Sequence, residues 1–198
     1  MEKPLDEFFW ENKYKNNNTG WDLGEISTPL KCYFDQIKAK DLKILIPGAG
    51  NAYEAKYLFN EGFNHVTVLD IAKAPIDNLF RSCPKFPKSH VHQGDFFEFE
   101  ENGFDLIIEQ TFFCALNPKL RENYIYKMKE LLKPGGKLVG VLFNIPLYED
   151  HPPFGGNRED YLPLFKNAFK INVFEICYNS IPPRAGNELF INVEKPKG

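Results

Sequence analysis

The chain has 198 residues, 43% of them hydrophobic and 26% charged, with a net charge of −3. Those values fit one soluble globular domain built around a single core. They exclude two partner classes: the lysines form no basic stripe of the kind that meets nucleic acid, and no apolar run is long enough to cross a membrane. The opening residues, MEKPLDEFFW, carry acids where a signal peptide has a basic and then an apolar region, so the expected location is cytoplasmic. Cys32, Cys83, Cys114 and Cys177 show no CxxC spacing and read as free thiols. His65, His90, His92 and His151 show no metal-ligand spacing, so no metal is expected.

In chain order, residues 4–15 predict a short helix with Leu5, Phe8, Phe9 and Trp10 toward one face. Residues 16–24, NNNTGWDLG, predict a loop, and residues 28–39 a helix capped by Thr28 with Pro29 in its first turn. An alternation follows. Strands are expected over 42–47, 65–70, 89–93, 104–110 and 137–144. Helices are expected over 52–61, ending at Gly62, and over 73–82 and 118–132. The strands are continuous apolar runs, which suits a sheet buried on both faces. Residues 145–157 predict a long Pro- and Gly-rich loop and 158–168 a helix. Two closing strands, 171–178 and 188–194, are joined too tightly for a crossover and should pair antiparallel. The expected fold is α/β: a Rossmann-like, doubly wound, seven-stranded sheet, mostly parallel with an antiparallel last strand, and helices on both faces.

The first motif that carries chemistry is LIPGAG, residues 45–50. Gly48 and Gly50 permit a sharp turn and close approach of a ligand, and Asp70, twenty residues on at the next strand end, is placed to hold ribose hydroxyls. A dinucleotide site asks for a third glycine where this chain has Tyr53. A ligand with adenosine and no diphosphate lacks that requirement, and S-adenosylmethionine meets the description. In GDFFEF, residues 94–99, Asp95 and Phe96 are placed to accept from the adenine amine and cover the base; a turn followed by core rings is the structural alternative. In FDLIIEQTFFCAL, residues 104–116, Glu109 and Gln110 end the fourth strand. Phe112 and Phe113 are either pocket walls or core, and Cys114 reads as a buried thiol.

Together FWENKYKNNNTGWDLG, LIPGAGNAYEA, VLD, GDFF, FDLIIEQTFFCAL, LLKPGGKL and SIPPRAGNE resemble the thiopurine S-methyltransferase family, closest to its halide and thiol methyltransferase branch. The resemblance runs from about Phe8 to Glu194. It implies an S-adenosylmethionine-dependent methyltransferase of class I in which an N-terminal aromatic segment, residues 1–27 of a single domain 1–198, closes over the cofactor. It carries Trp10, Tyr14 and Trp21 onto that segment; Tyr14 stands where the plant relatives more usually have Trp. It also carries Gly48, Asp70, Asp95 and Phe96 as cofactor contacts, and Gln110 where the plant relatives tend to have Tyr.

The implied reaction is in-line transfer of a methyl group to a small soft nucleophile (a thiol, a thiopurine-like sulfur or a halide), which needs alignment and exclusion of water more than a strong base. Glu109, Arg121 and Arg184 are candidate substrate guides, with solvated surface the alternative for the two arginines. Two other functions stay open: O- or N-methylation of a small metabolite, in which Glu109 would matter as a base, and cofactor binding without catalysis.

Overall fold

The structure, a computed structural model, describes residues 4–148 and 150–198. The first three residues of the expected N-terminal segment, and residue 149 of the expected long loop, lie outside the described residues. Helix α1, Glu7–Lys15, is capped by Asp6, whose carboxylate accepts from Phe9 N at 2.9 Å. It buries no residue, and Phe8, expected with Leu5, Phe9 and Trp10 toward one face, is 77% exposed. Helix α2, Thr28–Phe34, takes Ser27 rather than Thr28 as its N-cap residue. It ends five residues early, because Gln36 N and Ile37 N bond back to Tyr33 O and Phe34 O and tighten the last turn.

The alternation then proceeds as the apolar runs require. Strand β1, Lys43–Pro47, leads to α3, Tyr53–Asn60; β2, His65–Asp70, leads to α4, Lys73–Ser82; β3 is the short Val91–Gln93. Strand β4, Phe104–Gln110, leads through a 3-10 turn at Pro118–Leu120 to α5, Arg121–Leu131. The Asn117 side chain caps that turn by accepting from Lys119 N at 3.0 Å. Strand β5, Leu132–Phe143, begins five residues before its expected start. Leu132 pairs with Phe104, and a register shift between Phe104 and Leu106 absorbs the Pro-Gly-Gly segment. Helix α6, Arg158–Lys166, and strands β6, Lys170–Ile176, and β7, Glu188–Glu194, complete the chain.

The seven strands lie in the order β3-β2-β1-β4-β5-β7-β6, with β7 antiparallel to both neighbours. Two apolar layers sandwich the sheet. One lies under α5 and α6 and includes Tyr124, Met128, Tyr161 and Phe165; the other lies under α2, α3 and α4 and includes Leu30, Phe34, Leu58 and Leu79. The strand order reverses between β1 and β4, which opens a crevice beyond their carboxyl ends.

One glycine decides how closely β5 approaches β4. Gly140 stands opposite Glu109, and a Cβ there would lie 1.9 Å from the Glu109 carbonyl oxygen. Gly140→Ala is expected to lower stability by about 2 kcal/mol through backbone displacement. Urea denaturation checks this, and an unchanged midpoint would contradict it.

Candidate active site

Beyond the ends of β1, β2 and β4 lies a cavity of about 420 Å³, walled by the glycine turn after β1 and covered by the N-terminal segment. The turn is built from three left-handed residues in alternation, Gly48 (φ +57°), Gly50 (φ +54°) and Ala52 (φ +55°). Such alternation curls the backbone into a concave cradle. Bare backbone is needed on both sides: a Cβ on Gly48 would lie 2.2 Å from the Phe112 ring, and one on Gly50 would lie 2.8 Å from the Tyr14 hydroxyl. Asp70 fixes the turn from below. Its Oδ2 accepts from Gly50 N at 2.8 Å and its Oδ1 from Ala72 N at 2.9 Å. Burial pushes its carboxyl up to about 6, against the pull of those hydrogen bonds.

The N-terminal segment is tied down at several points. Glu11 Oε2 accepts from Ala74 N at 2.8 Å at the start of α4, and Glu7 Oε1 accepts from Gln93 Nε2 at 3.0 Å. Trp10 and Trp21 meet edge to face with centroids 5.5 Å apart, and Tyr14 meets Trp21 at 6.0 Å. The Arg184 guanidinium donates to the Trp21 carbonyl, pairs with Glu188 at 3.1 Å and lies 5.0 Å from the Phe143 ring centre. Tyr53, in the position of the missing third glycine, opens α3 and turns its hydroxyl toward Asp22 Oδ2 at 3.3 Å.

Trp10, Tyr14, Trp21, Gly48, Gly50, Asp70, Asp95, Phe96, Gln110 and Phe112 all line this cavity. Asp95 Oδ1 also accepts from Phe97 N at 2.8 Å, and the Phe96 ring meets Phe112 at 5.3 Å. Four expected site residues are elsewhere. Phe113 is core: its ring packs edge-on to Tyr124, Tyr161 and Phe165. Glu109 has 0% exposure and faces the α5 layer, where it accepts from Phe113 N at 3.1 Å and from the Tyr124 hydroxyl at 2.5 Å. Desolvation pushes its carboxyl up to about 7. Arg121 is neither in the cavity as a substrate guide nor solvated at the surface; it is buried and donates to Gly155 O at 2.5 Å beneath the faces of Phe113 and Tyr161. Arg184 is likewise buried, and its contact is with the covering segment. Cys114 is buried as expected, its thiol pushed up to about 12 by desolvation, whereas Cys32 is exposed.

Further contacts complete the cavity. Asp22, Asn51 and Tyr53 meet only because the segment folds back across some thirty residues. Pro152 and Pro153 bring the long loop to the rim, and Phe143 and Leu116 add apolar wall. Thr111, also in the wall, has φ +60°, an uncommon strain for a β-branched residue, and turns the chain between Gln110 and Phe112. The charged groups in the lining are Asp22, Glu25, Glu54, Asp70 and Asp95; among the described residues no Lys, Arg or His lines it. A cationic adenosyl ligand fits such a surface. A diphosphate does not.

Comparison with known proteins agrees. Residues 5–191 match the family model described as thiopurine S-methyltransferase. An Arabidopsis thaliana protein described as a "probable thiol methyltransferase" is 30% identical over 187 residues, covering 90% of this chain and 81% of the relative. A thiocyanate methyltransferase of Brassica oleracea is 29% identical over 195 residues, covering 95% and 85%. Among solved structures, a Burkholderia thailandensis 1,6-didemethyltoxoflavin-N1-methyltransferase with bound S-adenosylhomocysteine has a TM-score of 0.76. It covers 99% of this chain and 93% of its own at 16% identity, a likeness of fold.

Proposed function

The chain belongs to the thiopurine S-methyltransferase family and is an S-adenosylmethionine-dependent methyltransferase acting on a small nucleophile; from that premise we propose that the nucleophile is a soft one, a thiol, a thiopurine-like sulfur or a halide. When bound, S-adenosylmethionine supplies a methyl group on a positively charged sulfur.

The observation that carries this reading is the way the lining carboxylates are committed. Asp22 accepts from Gly24 N, Glu54 from Ser27 N, Asp70 from Gly50 N and Ala72 N, and Asp95 from Phe97 N. The fifth, Glu25, is exposed. Four of the five thus already accept a backbone N–H, and among the described residues no histidine lines the cavity, so we read the acceptor as one that reacts without proton removal by the protein, or arrives ionised.

In this reading the Gly48–Gly50 turn receives the amino-acid end of the cofactor, Asp70 the ribose, and Asp95 with Phe96 the adenine. Trp10, Tyr14 and Trp21 set ring faces and edges beside the sulfonium, which gains about 0.5–2 kcal/mol from a π face. Gln110 and Phe112 form the floor on the acceptor side. Residues 4–27 act as a lid, with Arg184 holding its Trp21 end, and they exclude water from the reacting atoms. A methyl-transfer screen with labelled cofactor over iodide, bisulfide, thiocyanate, aromatic thiols, phenols and amines tests the reading. Label on a sulfur or halide acceptor is expected; label on phenols or amines alone would overturn it.

Two further results follow from the geometry. Glu109→Gln is expected to keep methyl transfer within about twofold, because the carboxyl lies outside the cavity. The same variant should flatten the pH dependence of stability. The folded-state value is raised from 4.5 to about 7, so the cost of ionising Glu109 is absent below 4.5 and complete above about 7. Stability of the native chain therefore falls across that window, and denaturation at several pH values reads the difference. In the lid, exposed Asn16, Asn17 and Asn18 offer little to bury, so this stretch is expected to be cut by protease without cofactor and protected by S-adenosylhomocysteine. Equal cutting in both states would contradict a ligand-ordered lid.

A further inference from the structure

We propose that Asp22 reads the α-ammonium group of the cofactor and thereby couples closure of the N-terminal segment to the amino-acid end of the ligand. The inference rests on the placement of that end at the Gly48–Gly50 turn. Asp22 follows Trp21 on the segment, is half-buried and lines the cavity. Donors from both sides of the closure hold its carboxylate. Oδ1 accepts from Gly24 N at 2.8 Å within the segment. Oδ2 accepts from the Asn51 amide and the Tyr53 hydroxyl across the gap. Asn51 is fixed in turn, its Oδ1 accepting from Asn78 Nδ2 at 2.6 Å on α4. Asp22 therefore sits against the residue after Gly50, at the end of the cavity where the turn leaves bare backbone.

An ionised carboxylate offers about four lone-pair sites, and three donors are in place. The remaining capacity suits one N–H of a cation. Among the described residues no ion pair joins Asp22 to a Lys, Arg or His. The other two acids near the turn are occupied differently: Glu54 is buried on Ser27 N, and Asp70 on Gly50 N and Ala72 N. The ligand's own carboxylate has a donor at the same end. The Tyr14 hydroxyl stands 2.8 Å from where a Gly50 Cβ would be, and burial keeps the phenol protonated. One ammonium and one carboxylate thus meet one acceptor and one donor, and both protein groups ride on the covering segment.

A ligand series separates this role from a purely structural one. Calorimetry compares wild type and Asp22→Asn with S-adenosylhomocysteine, with its deaminated analogue that keeps the carboxylate, and with 5′-methylthioadenosine, which lacks both groups. Wild type is expected to favour S-adenosylhomocysteine over the deaminated analogue by about tenfold or more, the size of one hydrogen bond to a charged group. In Asp22→Asn that ratio is expected to fall to about one, while affinity for 5′-methylthioadenosine stays within about twofold and so reports an intact nucleoside end. Asp22→Ala, which removes the side-chain acceptors outright, is expected to collapse the ratio in the same way. A ratio unchanged in both variants, or an equal loss for all three ligands, overturns the assignment to Asp22 alone. Failure of wild type to bind S-adenosylhomocysteine overturns the reading of the cavity and this inference with it.

Discussion

Gly50→Ala is expected to weaken binding of S-adenosylhomocysteine about a hundredfold while leaving the secondary structure intact. Three effects come with the substitution. Gly50 has φ +54°, where an L side chain costs about 1–2 kcal/mol. Its new Cβ would lie 2.8 Å from the Tyr14 hydroxyl, so that hydroxyl must shift and the edge contact of Tyr14 with Trp21 is disturbed. The Gly50 N–H to Asp70 hydrogen bond is distorted, which costs about 1–3 kcal/mol if the acceptor is left short of a partner. The backbone strain falls on free and liganded protein alike; the displaced Tyr14 hydroxyl and the distorted Gly50–Asp70 bond act on the ligand site, and together they are expected to reach about 3 kcal/mol, or about a hundredfold in affinity. Ala52 supplies the internal comparison: it is an alanine at φ +55° in the same turn, so the chain tolerates that conformation and the Tyr14 contact makes the difference. Calorimetry with circular dichroism as the fold check tests this; affinity within a fewfold of wild type would show that the turn does not hold the ligand.

The second large effect is Asp70→Asn, expected to cost about a hundredfold in affinity for S-adenosylhomocysteine but at most about 2 kcal/mol in stability. Loss of a charged acceptor to the ligand's hydroxyls removes hydrogen bonds of about 1.5–3 kcal/mol each. The fold has less to lose, because the carboxylate is itself a burden. Its folded-state value is raised from 3.8 to about 6, so the cost of ionising it is absent below 3.8 and complete above 6, where it amounts to about 3 kcal/mol. Asparagine removes that cost and gives up one of the two backbone N–H acceptors, and the two changes largely offset each other. A residue that weakens the fold and is needed by the ligand is what a binding role predicts. Denaturation at pH 7.5 beside calorimetry separates the two quantities. A large loss of stability with normal affinity would make Asp70 a structural brace.

Much of the architecture was legible in the residues. The runs HVTVLD and FDLIIEQ match β2 and β4 to the residue, because each is a short apolar run that opens after a turn residue, Asn64 or Gly103, and closes on polar residues at the strand end. The positive-φ turn was legible through Gly48 and Gly50, and the antiparallel closing pair through the short link between β6 and β7. What was hidden is direction. Glu109 and Gln110 are neighbours at one strand end, yet they face opposite layers of a sheet buried on both sides. Apolar residues on both faces erase the alternation that would have said which one meets the cavity. Phe112 and Phe113 divide between wall and core for a similar reason, since the strained Thr111 turns the chain just before them. Arg121 and Arg184 looked like surface charges because their partners, the rings of Phe113, Tyr161 and Phe143 and the carbonyls of Gly155 and Trp21, come from distant segments. Asp22 escaped notice because its partners Asn51 and Tyr53 lie some thirty residues away.

The central claim is that the protein aligns a soft nucleophile and does not deprotonate it. The pH dependence of kcat/KM measured with two thiols of well-separated acidity, an aromatic and an aliphatic one, tests it most directly. The rising limb is expected to move with the acidity of each thiol. A limb fixed at the same pH for both would reveal a base supplied by the protein and contradict the account.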